Sequence, residues 1–119
     1  MKVKLEVIIN SKTAFQELLK EKLPIKLAYK IKDTLKLLEP KFQTYEELRS
    51  EMIIEKYGEK EKDGENWKVK KSMTKEFFVE LSELLSEDVD LNIEKIKLPD
   101  ETKITPENAY LLEWLIETE

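Results

Sequence analysis

The stretch that decides the fold is Leu23–Gly58, "LPIKLAYKIKDTLKLLEPKFQTYEELRSEMIIEKYG". Its apolar residues follow one another at spacings of three and four, the pattern of one side of an α-helix. They are Leu27, Ile31, Leu35, Leu38, Phe42, Tyr45, Leu48 and Met52. Pro24 suits the first turn of a helix and Gly58 its end. The pattern therefore predicts a long amphipathic helix from Pro24 to about Tyr57.

Pro40 lies inside this pattern, where a proline removes a backbone hydrogen bond and normally kinks or ends a helix. The apolar stripe nevertheless keeps its phase across Pro40. At about 100° per residue Pro40 projects nearly opposite to the stripe, so the carbonyl of Lys36 that it leaves unpaired can be solvated. These features favour one bent helix over two separate helices.

The N-terminal residues predict a strand followed by a short helix. In "KVKLEVII" apolar and polar side chains largely alternate, which suits a strand from about Lys2 to Ile9 with one face buried. Asn10 or Ser11 can cap the following helix, because their side-chain oxygens accept hydrogen bonds from free backbone amides. That helix is expected to end near Leu23.

Beyond the long helix the sequence predicts shorter elements. "GEKEKDGEN", residues 58–66, is a polar loop with a turn at Asp63-Gly64, and "WKVK", residues 67–70, is a short strand. A third helix with a strong apolar side follows, capped by Ser72 or Thr74. We expect it to pack against the long helix.

The C-terminal third completes the predicted fold. "VDLNIEKIKL", residues 89–98, is expected to pair with the N-terminal strand, and Thr105 and Pro106 begin a final helix. Together the elements predict an α+β fold. It is a helix-rich single domain of residues 1–119, with one long bent amphipathic helix packed on shorter helices and a small sheet of two or three strands.

The composition removes most catalytic chemistry. The chain contains no cysteine and no histidine, which excludes disulfides, thiolate or imidazole metal sites and nucleophiles that depend on these residues. The carboxylates Glu87, Asp88 and Asp90 match no calcium loop and are expected to cap and solvate turns. No catalytic residue, metal site or cofactor is predicted, and the protein is not expected to be an enzyme.

The charge of the chain also limits its partners. Charged residues make up 39% of the sequence and the formal net charge is -5, which disfavours binding to duplex DNA. The apolar run near the N-terminus is too short for a signal peptide or a membrane span, and no longer run follows. A cytoplasmic protein without membrane contact is the simplest expectation.

The first candidate site is an arc of the long helix on the side away from its apolar stripe. It contains Lys26, Tyr29, Lys30 and Lys36, and it begins near a helix N-terminus, where free amides and the helix dipole favour anions. The arc therefore predicts a surface for a phosphate-bearing ligand. The alternative is that these residues are only the solvated polar side that any amphipathic helix needs.

Arg49, the one arginine among 21 basic residues, is the second candidate. It falls on the apolar stripe, where a buried charge needs a partner. A structural ion pair with Glu46, Glu80 or Glu83 is the favoured interpretation. A ligand phosphate or a second subunit would instead make Arg49 part of the anion site.

The two tryptophans, Trp67 and Trp114, are the remaining residues of interest. Side chains of this size can anchor an interface or stack on a base. Membership of the hydrophobic core explains them equally well and is the favoured interpretation.

Three segments carry a resemblance to a known group of proteins. Residues 23–65, together with "VDLNIEKIKL" and "ITPENAYLLEWLIE", resemble small uncharacterised proteins encoded by tailed phages and prophages of bacteria. The likeness covers most of the chain from Leu23, although "NWKVKKSMTKEFF" departs from it. It implies a phage-encoded cytoplasmic protein of an infected bacterium and transfers no functional residue.

Two classes of function follow. The first is a small non-catalytic binding protein that counters host defence by sequestering a phosphate-bearing nucleotide signal or by occupying a host protein. The second is a structural or assembly accessory of the phage that acts through self-association. An apolar stripe longer than one short helix can cover favours oligomerisation, so a homodimer or higher oligomer is expected in both cases.

Overall fold

The computed structural model describes residues 1–62 and 64–117. Its α+β class agrees with the prediction. The elements, in chain order, are β1 (Lys2–Lys4), α1 (Leu5–Leu18), α2 (Ile25–Met52), a π-helical turn (Ile53–Tyr57), β2 (Gly58–Lys60), β3 (Trp67–Val69), a 3-10 turn (Lys71–Met73), α3 (Thr74–Leu85), β4 (Asp88–Asp90) and α4 (Pro106–Leu111). No helix in the described part of the chain is long and apolar enough to cross a membrane.

The long bent helix is confirmed, because α2 and the π-helical turn form one helical segment of 33 residues that includes Pro40. The prediction that a single helix continues past the proline is therefore correct. Pro40 is exposed, so the backbone group that it leaves unpaired can be solvated. Of the predicted stripe, Ile31, Leu38, Phe42 and Tyr45 are buried, whereas Leu48 is exposed.

The predicted strand from Lys2 to Ile9 is wrong beyond Lys4, because α1 begins at Leu5. The same residues also fit a helical pattern, in which Leu5, Ile8 and Phe15 are buried while Val7 is exposed. The predicted cap at Asn10 or Ser11 is also wrong. Ser11 is buried inside α1, and its hydroxyl donates to the carbonyl of Ile8 at 2.7 Å.

The residues group into two compact units. The first unit combines residues 1–39 with the described residues from Asp88 onward, and the second is the continuous stretch Pro40–Glu87. The single domain expected from the length of the chain stays a prediction.

In the first unit β1 and β4 form an antiparallel pair, which confirms the predicted pairing of the N-terminal strand with the "VDL" segment. Val3 lies opposite Val89. The Met1 amine donates to the Leu91 carbonyl at 3.0 Å and extends the contact by one residue. Fully buried side chains come from α1, α2, the segment after β4 and the turn after α4: Ile8, Phe15, Ile31, Leu38, Ile96, Leu112 and Leu115.

The C-terminal helix begins as predicted but is short. Thr105 is its N-cap, with its hydroxyl accepting from the Asn108 amide at 3.1 Å, and Pro106 is the first helical residue. Regular helix ends at Leu111. The following turn is tied to the segment after β4, because the Ile96 amide donates to the Leu115 carbonyl at 2.8 Å.

The second unit contains the last part of α2, a two-stranded hairpin and α3. β2 and β3 pair antiparallel, which confirms the predicted short strand at Trp67, and Gly58 lies opposite Val69. Of the turn predicted at Asp63-Gly64, Gly64 has φ of 78°, whereas Asp63 lies outside the described residues. α3 begins without a side-chain cap, so the predicted capping by Ser72 or Thr74 is wrong.

Gly58 ends the helical segment as predicted, but for a different reason. Its backbone is extended, with φ of -109° and ψ of 167°, so it does not adopt the left-handed conformation of a usual glycine cap. A Cβ at this position would overlap the Ile53 carbonyl oxygen and lie 2.6 Å from the Ile53 Cγ2 atom. The close approach of the π-helical turn therefore requires a residue without a side chain.

Candidate functional site

Tyr29 and Lys36 lie on the solvent side of α2. Ile31, Thr34 and Leu38 are buried, and at about 100° per residue Tyr29 and Lys36 project roughly opposite to them. Tyr29 is 73% exposed. An aromatic side chain that lies so far out of the core contributes little to folding and is available for contact with another molecule.

We call the exposed surface around Tyr29 the α2 outer face; it is formed by Ile25, Lys26, Tyr29, Lys32 and Lys36. Ile25, at the start of the helix, is 84% exposed. Three lysines therefore surround two exposed side chains with large apolar surface, and the exposed carboxylate of Asp33, one helical turn after Tyr29, lies among them. The surface is locally basic on a chain whose net charge is -5.

Lys30 is placed differently from the other predicted lysines. It is half-buried, and its Nζ atom donates to the Lys95 carbonyl at 3.4 Å and lies 3.8 Å from the Glu94 carboxylate. Its ammonium group therefore contacts the segment after β4. Lys30 belongs to the edge of the α2 outer face and helps to hold that segment against the helix.

Arg49 lies in the second unit, apart in sequence from the α2 outer face. It is half-buried and forms no ion pair with any described carboxylate, so the favoured pairing with Glu46, Glu80 or Glu83 is wrong. Glu80 is bonded to other residues instead. Burial raises the pKa of Tyr45, and the nearby positive charge of Arg49 offsets part of that rise.

A cluster that the sequence did not indicate joins the π-helical turn to α3. Both carboxylate oxygens of Glu80 are occupied: Lys56 Nζ donates to one at 2.8 Å and the Tyr57 hydroxyl donates to the other at 2.5 Å. The Tyr57 ring also meets the buried Phe77 ring edge to face, at a centroid distance of 6.1 Å. The cluster therefore combines charge, hydrogen bonds and aromatic packing.

The three groups of this cluster stabilise one another's usual ionisation at neutral pH. The hydrogen bonds from Lys56 and then from Tyr57 lower the pKa of Glu80. The hydrogen bond to Glu80 raises the pKa of Lys56 and also that of Tyr57. Because each pKa moves away from neutrality, the three groups keep their charge states near neutral pH. The cluster therefore suits a structural role, that of fixing α3 to the π-helical turn, better than acid–base catalysis.

Two open cavities in the second unit share the Lys56–Glu80 pair. One, of about 260 Å³, has an apolar lining from Leu48, Met52 and Leu84. The other, of about 510 Å³, continues along α3. Together they are also lined by the carboxylates of Glu51, Glu55, Glu76 and Glu83 and by one further cationic side chain, Lys75. We call these two adjoining cavities the acidic groove.

Sequence reasoning missed the cluster because its members come from separate elements. Lys56 and Glu80 are 24 positions apart, and the hairpin between them decides whether they meet. Their spacing matches no motif. The apolar side of α3 around Phe77 did predict packing against the long helix. It did not indicate which polar groups would lie beside that contact.

The carboxylates of β4 and Trp67 of β3 were also singled out in the sequence, and the structure gives each of them a nearby charged group. Asp88 pairs with Lys4 at 3.2 Å across the β1–β4 ladder, and Asp90 lies 3.8 Å from the Met1 amine. Trp67 is exposed on β3, with the Lys60 ammonium 5.9 Å from its ring, so it is not the core residue that was favoured. Among the described residues no group of three or more carboxylates is placed to hold a metal ion.

Comparison with known proteins gives no match. No family model, curated protein or solved structure is similar to the chain. The resemblance to phage proteins therefore stays a prediction.

Glu80→Gln is expected to remove a component of stability that depends on pH. Because the folded state lowers the pKa of Glu80 below its usual 4.5, the carboxylate stabilises the protein above that value. This contribution is lost as the pH falls through the lower, folded pKa. The wild-type protein should therefore lose more stability than the variant on acidification below about pH 4.5.

Urea unfolding of both proteins at several pH values between neutrality and pH 3 measures this difference. Glu83→Gln on the same helix is the matched control and should follow the wild-type curve. If the difference in the free energy of unfolding between wild type and Glu80→Gln stayed constant over this pH range, the stabilising role of the Glu80 contacts with Lys56 and Tyr57 would be contradicted.

Proposed function

We propose that this protein is a small non-catalytic binding protein that acts by occupying an acidic surface of another protein through its α2 outer face. The observation that carries this proposal is the strong exposure of Tyr29 and Ile25 among three lysines. In the setting that the resemblance implies, the partner is a host protein in the cytoplasm of an infected bacterium. The phage setting rests on that resemblance alone.

The chemistry of the α2 outer face suits an acidic protein partner. Covering a large apolar side chain contributes about 1.5–3 kcal/mol, so Tyr29 and Ile25 supply affinity. Tyrosine is also enriched among the residues that dominate interfaces. The lysines add charge complementarity, which speeds association and selects for an acidic partner.

The shape of the surface favours a macromolecule over a nucleotide. Sites for small molecules are concave and bury most of the ligand, whereas the outward side of a single helix is convex. Lys26, Tyr29 and Lys36 all lie on this convex side. A phosphate-bearing nucleotide would stay mostly in water there, so the sequestration of a small signal is the weaker form of the hypothesis.

A second candidate function is self-association, as expected of an assembly accessory protein. The observation in its favour is the acidic groove, whose carboxylates and apolar lining complement the basic and apolar α2 outer face of another molecule. A contact between two different surfaces is heterologous and builds rings or filaments. Light scattering that shows a monomer at working concentration would remove this candidate.

The double variant Lys26→Glu/Lys36→Glu is expected to bind the acidic partner roughly tenfold or more weakly, because attraction becomes repulsion. The partner is first captured on immobilised wild-type protein from bacterial extract, purified, and titrated by calorimetry. The matched control is Lys71→Glu/Lys103→Glu, which changes the net charge equally at exposed positions elsewhere. Equal affinity of the two double variants would contradict the proposal, and unchanged thermal unfolding would show that neither variant acts through folding.

A further inference from the structure

A cleft in the first unit has a composition that differs from both surfaces described above. It has a volume of about 550 Å³ and is lined by Glu6 and Val7 of α1, by Lys95, and by Tyr110, Glu113 and Trp114 near the C-terminal helix. Two aromatic rings and two carboxylates thus meet around one opening. The α2 outer face contributes none of these residues.

The aromatic rings of the cleft are available to a ligand. Tyr110 is 74% exposed, although it is an aromatic residue on a helix that packs against α1. Trp114 is half-buried, and its indole meets Phe15 nearly at right angles, with the ring centroids 6.4 Å apart. Packing against the buried Phe15 supports the indole, so Trp114 offers a defined surface for stacking.

The charges of the cleft select a cation. Glu6 and Glu113 are exposed carboxylates on the two walls, and Lys95 is the one cationic side chain in the lining. An anionic ligand such as a nucleotide would be repelled by both carboxylates. A guanidinium group fits better, since it stacks on aromatic faces and also donates to carboxylates.

We propose that this cleft binds a peptide segment of a partner protein through an arginine side chain. The guanidinium stacks on Tyr110 and Trp114 and pairs with Glu6 and Glu113. The site is independent of the α2 outer face and has the opposite charge preference. The protein therefore carries two binding surfaces, one for an acidic partner and one for a basic segment.

Trp114 itself can report on binding. The variant Trp67→Phe leaves Trp114 as the single tryptophan, and the replaced side chain is exposed on β3. The probes are three blocked tripeptides with glycine on both sides of arginine, lysine or citrulline, the last being a neutral analogue of arginine. Fluorescence titration and calorimetry are carried out with each.

The expected result is a saturable change of Trp114 emission, with heat, for the arginine peptide. The lysine and citrulline peptides should bind about tenfold more weakly or not at all, since one lacks the planar group and the other the charge. Absence of both signals with the arginine peptide would overturn the proposal. An equal response to the citrulline peptide would overturn it as well, because the carboxylates would then have no part in recognition.

Variants of the carboxylates complete the test. Glu6→Gln/Glu113→Gln in the Trp67→Phe background should lower the affinity for the arginine peptide roughly tenfold. The matched control is Glu101→Gln/Glu107→Gln, which removes the same charge from exposed positions outside the cleft lining and should bind like the parent. If both double variants bind equally, the proposed pairing with Glu6 and Glu113 is wrong.

Discussion

Gly58→Ala is expected to destabilise the second unit by about 3 kcal/mol or more, a large effect for the addition of one methyl group. The added Cβ would overlap the Ile53 carbonyl oxygen and approach the Ile53 carbonyl carbon to 2.8 Å. Because these are main-chain atoms, a side-chain rotation cannot relieve the overlap. Either the π-helical turn or the start of β2 has to move.

The measurement is urea unfolding followed by the emission of Trp67, whose strand pairs with the strand that Gly58 begins. Gly64→Ala is the matched control. Gly64 has φ of 78°, which costs an alanine about 1–2 kcal/mol, but no atom lies within 4 Å of the added Cβ. Gly58→Ala should therefore be clearly the more destabilising of the two, and the reverse order would contradict the structure of the turn.

Phe15→Ala is expected to lower the free energy of unfolding of the first unit by about 3–5 kcal/mol. Phe15 has no exposed surface, and its ring packs edge to face with Trp114. Removal of the ring leaves a cavity beside the Trp114 indole, between α1 and the turn after α4. The loss therefore includes both the transfer of the ring and the cavity.

Phe78→Ala is the control for Phe15→Ala, since Phe78 is 57% exposed and its ring meets that of Phe77 in an edge-to-face pair. We expect a loss of about 1 kcal/mol there. Chemical denaturation followed by circular dichroism measures both variants. If Phe15→Ala lost no more stability than Phe78→Ala, the assignment of Phe15 to the core would be untenable.

The long helix could be predicted because many apolar residues along it indicate the same helical phase. Eight apolar positions keep one phase from Leu27 to Met52, so the exposed Pro40 does not outweigh them. The same phase places Tyr29 and Lys36 on the solvent side. Tyr29 and Lys36 of the α2 outer face thus follow from helical periodicity, whereas the exposed Ile25 was not predicted as part of a site.

The N-terminal segment could not be predicted because its pattern fits two structures. Val3, Leu5 and Val7 alternate as in a strand, whereas Leu5, Ile8 and Phe15 share one side of a helix. Tertiary structure decides between them: β4 offers only three residues for pairing, so β1 ends at Lys4 and the rest of the segment buries its helical side. The cleft at Trp114 could not be foreseen either, because one of its walls is this helix.

The polar partners within the second unit were also beyond sequence reasoning. Arg49 was expected to pair with a glutamate, but Lys56 and Tyr57 occupy both oxygens of Glu80. Which of these side chains reaches Glu80 depends on the wider π-helical turn and on the hairpin after it. Helical periodicity calculated for a regular α-helix does not include that turn.

The pairing of β1 with β4 has a consequence for the order of folding during synthesis. Val3 is synthesised before the second unit and cannot pair with Val89 until the whole of Pro40–Glu87 has been made. The contacts of the second unit join residues at most a few tens of positions apart, as between Lys56 and Glu80, so they can form earlier. The β1–β4 pair and the packing of α1 against α4 therefore form only after the residues from Asp88 onward have been synthesised.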